Sequence, residues 1–116
     1  MKWLAALLLS IGLMGPAAAE SPSNELRAAG VALFVADWLQ TRYIADNPQV
    51  YYEHNPLLGS HPSIGRVNVH FATVIAGYLW ATSSSGFCNR TCATGVVVLE
   101  GTNVLRNFSI GIRFYF

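Results

Sequence analysis

The stretch Val31 to Thr41, VALFVADWLQT, sets an acid inside an apolar run, and Gly95 to Leu105, GVVVLEGTNVL, does so again. In each, the acid has polar companions at helical spacing. Asp37, Gln40 and Thr41 are related by i, i+3 and i+4, and Glu100, Asn103 and Asn107 by i, i+3 and i+7, so a helix gathers each set on one face. A charge at a bilayer centre costs about 2.5 to 3.5 kcal/mol on insertion scales, so such an acid normally faces a bundle interior and has a partner. The expected fold is therefore all-α, a small membrane helical bundle with an intramembrane polar cluster.

Composition agrees. The chain has 116 residues, 53% hydrophobic and only 11% charged, against about 25% charged in soluble domains. Formal charge is +1, which supplies neither a basic footprint for nucleic acid nor a polybasic stretch for anionic headgroups. Nucleic acid is excluded as a partner on this ground, and the lipid bilayer is the expected one.

Residues 1–19 read as an export signal. Lys2 is the basic start, Trp3 to Met14 the apolar run, Gly15-Pro16 the break, and Ala17-Ala18-Ala19 the small-residue cleavage site. The alternative is an uncleaved first transmembrane helix, for which an apolar run of about 12 residues is short against the usual 17 to 25. Residues 20–116 then form one helical membrane domain with about three transmembrane helices. Ser23 or Asn24 caps the first, about Leu26 to Asp46, which Asn47-Pro48 ends. A loop punctuated by Pro56, Gly59, Pro62 and Gly65 leads to the second, Val67 to about Thr82. The third runs from about Thr94 to Asn107.

Within these helices Ala29, Ala32 and Ala36 form a small-residue ridge for close helix approach. An exported N-terminus places Arg42, Arg66, Arg106 and Arg113 on the cytoplasmic side, with Arg27 and Arg90 outside. The expected location is thus a bacterial inner membrane with the C-terminus cytoplasmic. Cys88 and Cys92 fall in the oxidising compartment, where a loop-stapling disulfide is chemically permitted.

One segment departs from helical spacing. Phe108, Ile110, Ile112, Phe114 and Phe116 alternate with Ser109, Gly111, Arg113 and Tyr115, which predicts a short strand-like tail. A terminal phenylalanine on such a strand resembles the closing strand of outer-membrane barrels, so an outer-membrane location is the alternative. The chain is too short for eight strands, and its apolar runs do not alternate.

The polar candidates are Asp37, Gln40, Thr41, Glu53, Asn55, His61, Glu100, Asn103 and Asn107. Three readings compete for them. They are interhelical glue, each hydrogen bond contributing on the order of 1 kcal/mol. They are a divalent metal site drawn from Asp37, Glu53, His61, His70 and Glu100, since imidazole with carboxylate suits zinc, manganese or iron. Or they are a proton or small-solute pathway. The chain has no G-x-S-x-G, phosphate-cradling glycine loop, C-x-x-C or H-E-x-x-H motif, which weighs against an enzyme.

At these residues the chain resembles a set of small bacterial and phage membrane proteins with no assigned activity. The pattern appears as Asp37, Gln40-Thr41, Glu53, Asn55-Pro56, Leu58-Gly59, His61-Pro62, Glu100 and Asn107. The resemblance covers about Leu33 to the C-terminus and groups the polar positions without assigning them a reaction. The function expected is a small assembly or structural membrane component, binding copies of itself or a larger membrane protein. Two alternatives stand beside it: a metal-dependent membrane enzyme or ion-handling protein, and a phage-type lysis or membrane-perturbing protein.

Overall fold

The computed structural model describes residues 20–116; the expected signal at 1–19 lies outside them. The described residues form three helices, α1 (Asn24–Asp46), α2 (Ile64–Ala81) and α3 (Arg90–Ser109), with no strand among them. Each begins on a side chain that accepts one of the orphan N–H groups of the first turn. Ser23 Oγ accepts from Leu26 N, Ser63 Oγ from Arg66 N, and Asn89 Oδ1 from Cys92 N. The caps at Ser63 and Asn89 start α2 and α3 three to four residues earlier than apolar spacing suggests, because hydrogen bonding rather than hydropathy sets a helix start.

α1 ends where Asn47, the residue before Pro48, turns back onto the helix, its N–H donating to Ile44 O and its Nδ2 to Tyr43 O. α3 ends in a Schellman closure. Gly111 has φ +96°, its N–H donates to Phe108 O, and Ile112 N–H donates to Asn107 O at 3.0 Å. This closure corrects the strand expected at Phe108 to Phe116. The first residues of that segment stay helical, Gly111 reverses the chain, and Ile112 is buried. Beyond it the tail lies along α1, with Tyr115 N–H donating to Leu39 O at 3.0 Å and the Arg42 guanidinium over the Tyr115 ring. Alternation arose from a cap and an extended tail placed end to end.

α1 is the centre of the fold. It packs against both α2 and α3, which do not pack against each other along their lengths. α2 runs antiparallel to it, pairing Trp38 with Asn68 and Phe71, and Leu26 with Tyr78. α3 runs parallel to it, pairing Gln40 with Val104 and Asn107. One apolar cluster joins Leu58, Val67 and Phe71 under Trp38 and Ala45; another joins Ala81, Cys88, Cys92 and Ala93 under Leu26. Cys88 and Cys92 are disulfide-bonded, with S–S 2.08 Å, and Cys88 N–H donates to Ala81 O, which fastens the turn between α2 and α3.

The close approach on α1 is at Gly30 rather than along the alanine ridge, since Ala32 is exposed. Tyr78 lies against Gly30 and donates its hydroxyl to Leu26 O at 3.1 Å. No helix among the described residues is long and apolar enough to cross a membrane. The three spans expected from the sequence therefore do not appear as uniformly apolar helices: Asp37, Gln40 and Thr41 interrupt α1, Asn68 and His70 α2, and Glu100, Asn103 and Asn107 α3.

Candidate functional site: a polar seam along α1

The buried face of α1 consists of Gly30, Asp37, Gln40, Thr41 and Ile44. Ile44 is the only large apolar residue among them, so α1 presents a small and polar surface to its neighbours. Gln40 is fully buried and uses both ends of its amide. Nε2 donates to Val104 O at 3.1 Å, and Oε1 accepts from Asn107 Nδ2 at 3.0 Å. One turn earlier, Asp37 Oδ1 accepts from the Thr41 hydroxyl at 3.4 Å, and its carboxyl is in hydrogen-bond contact with Glu100 and Asn103. Glu100 Oε2 is closed off from solvent and meets no N–H or hydroxyl donor. Ionised carboxylates accept but do not donate, so a hydrogen bond between Asp37 and Glu100 carries a proton on the pair. The seam therefore holds amide pairs at one level and a carboxyl pair at the next.

Glu53 approaches from the α1–α2 loop, near enough to Asp37 for the two charges to interact. The loop's E-x-N-P-x-L-G run is a self-bonded turn. Glu53 Oε1 accepts from His54 N and Asn55 N, Asn55 Oδ1 accepts from Leu57 N, Leu58 inserts into the core, and Gly59 takes φ +81°. Asn55 Nδ2 meets His70 Nε2 at 3.3 Å. Glu53 and Asn55 thus serve the loop first.

Burial pushes the Glu53 carboxyl above its usual range, and the two backbone N–H bonds oppose the shift. Its ionisation therefore costs more folded than unfolded. That cost is absent at low pH and develops as pH rises through the ordinary glutamate range, about 4.3, toward the raised value. Glu53→Gln keeps the Oε1 acceptor and removes the charge. Unfolding titrations should show the variant gaining stability over the wild type as pH rises above about 4.3; a gap that narrows with rising pH would contradict this.

His61 stands exposed outside the seam, and His54 is an exposed loop residue packed on Tyr52. Among the described residues no group of three His, Cys, Asp or Glu is arranged to hold a metal ion. The metal set Asp37, Glu53, His61, His70 and Glu100 is instead spread over the carboxyl pair, the loop turn, the exposed His61 and the Asn55–His70 contact.

Two participants stand outside the polar set read from the sequence. Arg42 Nη1 donates to Asn68 Oδ1 at 2.7 Å, and the same oxygen accepts from Trp38 Nε1 at 2.9 Å, so Arg42 is held across α1 and α2. Thr82, which reads as the edge of a serine-rich turn, is buried, donates to Tyr78 O and accepts from Arg27 Nε. The available signal was a polar residue near a helix end, Arg42 one turn inside the end of α1 and Thr82 at the C-cap of α2. Comparison with protein-family models, curated proteins and solved structures returns no match.

Proposed function

We propose that this protein is a small, exported, membrane-embedded structural component that assembles with copies of itself or with a larger membrane protein. The observation that carries the reading is inverted burial. Gln40 and Thr82 are 0% and 1% exposed, whereas Val69 and Leu105 are 69% and 71% exposed. An exposed leucine alone means little; polar side chains inside with apolar ones outside is the arrangement an apolar solvent favours. Asp37, Gln40 and Thr41 of α1 are buried, and Asn68, His70, Glu100, Asn103 and Asn107 are half-buried rather than exposed, which supports a lipid-facing bundle even though no helix among the described residues is uniformly apolar.

Element lengths and aromatics support the same reading. Helices of 18 to 23 residues span about 27 to 35 Å, comparable with a hydrocarbon core of about 30 Å. Exposed Trp80 and Phe87 pack together at one end, and exposed Tyr52, Phe114, Tyr115 and Phe116 mark the other. The expected inner-membrane location belongs to this proposal.

Expression of the full chain followed by alkaline carbonate extraction tests it: the protein should remain in the membrane pellet. Recovery in the soluble fraction would overturn the reading. A second reading, proton handling, is favoured by the donorless Glu100 Oε2 beside Asp37. Vesicles containing the protein and a trapped pH dye would retire it if proton flux matched that of empty vesicles.

A further inference from the structure

Arg42, Arg66, Arg106 and Arg113 are spread over 72 positions of sequence, yet the fold brings them to one end of the bundle. The pairings along α1 set the levels. Arg42 bonds Asn68 on α2, which puts Arg66 about half a turn further out; Gln40 bonds Asn107 on α3, which puts Arg106 at the same end; the tail that carries Arg113 returns to Arg42 through Tyr115. Arg66, Arg106 and Arg113 are exposed.

Among the described residues none of these guanidiniums is paired with a carboxylate. Arg42 donates to Asn68 and Tyr115 O, Arg66 to Leu57 O, and Arg113 to Phe108 O, all neutral acceptors. The Arg106 side chain makes no bond among the described residues. The ion pair among the described residues, Arg90 with Glu20, lies at the opposite end of the bundle, where Glu25 also sits in the first turn of α1. The acidic side chains near the arginine end are Asp46, exposed at the end of α1, and Glu53, which accepts from the backbone of its own loop. Aromatic side chains share this end, with Tyr43 on Tyr51, Phe114 between Phe108 and Phe116, and Tyr115 under Arg42.

We infer that this arginine and aromatic collar binds the phosphate groups of anionic phospholipids, and so fixes which end of the bundle faces the anionic leaflet. The chemistry fits. Exposed guanidiniums offer forked N–H donors that match phosphate oxygens, and aromatic rings settle at headgroup depth beside them. The topology expected from the sequence already puts these four arginines on one side; the fold brings the contributions of α1, α2, α3 and the tail together there, although the net charge of the chain is only +1. The inference rests on the membrane-embedded reading and deepens it.

The test uses the full chain in non-ionic detergent micelles, with phosphatidylglycerol or phosphatidylcholine added at equal concentration and retained lipid counted by native mass spectrometry. Phosphatidylglycerol should bind at least about tenfold more tightly, following the attraction of each exposed arginine to anionic lipid. The triple variant R66Q/R106Q/R113Q should lose that preference. R106Q alone should lose part of it, and since its side chain holds no protein bond its folding should be intact by circular dichroism. Equal retention of the two lipids, or a preference that survives in R106Q and the triple variant, would overturn the inference. Displacement of the lipid by inorganic phosphate would reassign the collar to a free anion and overturn it as well. Carbonate extraction separates the two levels: a soluble chain fails the membrane reading, whereas a membrane-held chain with no lipid preference fails this inference alone.

Discussion

Gly30→Ala is expected to destabilise the folded chain by about 1 to 3 kcal/mol, the cost typical of overpacking. At an open helix position the same substitution stabilises by about 1 kcal/mol, because alanine loses less backbone entropy than glycine. Local geometry reverses the sign here. A Cβ at Gly30 would overlap both the Tyr78 hydroxyl and the adjacent ring carbons. Rotating the hydroxyl does not clear the ring, and the ring is held edge-on by Phe34 at 5.4 Å while its hydroxyl bonds Leu26 O. α2 must shift outward, loosening Tyr78 and the Arg27–Thr82 bond beside it. Denaturant titration in micelles gives the sign. In a Tyr78→Leu background the penalty should shrink markedly, which separates a packing clash from a general intolerance of alanine. A stabilising Gly30→Ala in the wild-type background would show that the close approach is absent.

Gln40→Leu should cost about 2 kcal/mol although leucine is of similar size and suits an apolar interior. The loss comes from partners left behind: Asn107 Nδ2 loses its acceptor, and Val104 O loses a donor from across the helix interface. Asn107→Leu alone removes one of these bonds and should cost less. The double variant should cost little more than Gln40→Leu, with an interaction energy of about 1 kcal/mol, because the second change removes an orphaned amide rather than a working one. Strictly additive penalties would mean that the two amides do not share a bond.

Much of the helical framework is legible in the sequence. The apolar runs around Asp37 and Glu100 place α1 and α3, and Asn47-Pro48 marks the end of α1. The i, i+3, i+4 spacing around Asp37 and the i, i+3, i+7 spacing from Glu100 locate the residues that line the seam, since each spacing gathers polar residues on one helix face. Four things are not legible for physical reasons. Helix starts at Ser63 and Asn89 follow capping bonds rather than hydropathy. The alternating tail mimics a strand because a Schellman closure followed by extended chain also alternates. The contact at Gly30 depends on a tyrosine 48 positions away. The E-x-N-P run looks like a site in sequence but spends its polar atoms on its own turn. His61 has no such bond, and nothing in the linear pattern distinguishes it from Asn55, which does.

Because α2 and α3 each rest on α1 and not on one another, assembly has a direction set by synthesis. α1 and α2 emerge first and already hold a complete set of mutual contacts, with Trp38 on Asn68, Tyr78 on Leu26 and Arg27 on Thr82. Within that hairpin Asp37 has only Thr41 of its own helix and Gln40 has no comparable partner; their cross-helix partners arrive with Glu100, Val104 and Asn107. Until α3 is made, the polar side of α1 remains wetted. The last helix to be made is therefore the one that closes the polar side of α1, and it brings both partners of the Gln40 amide with it.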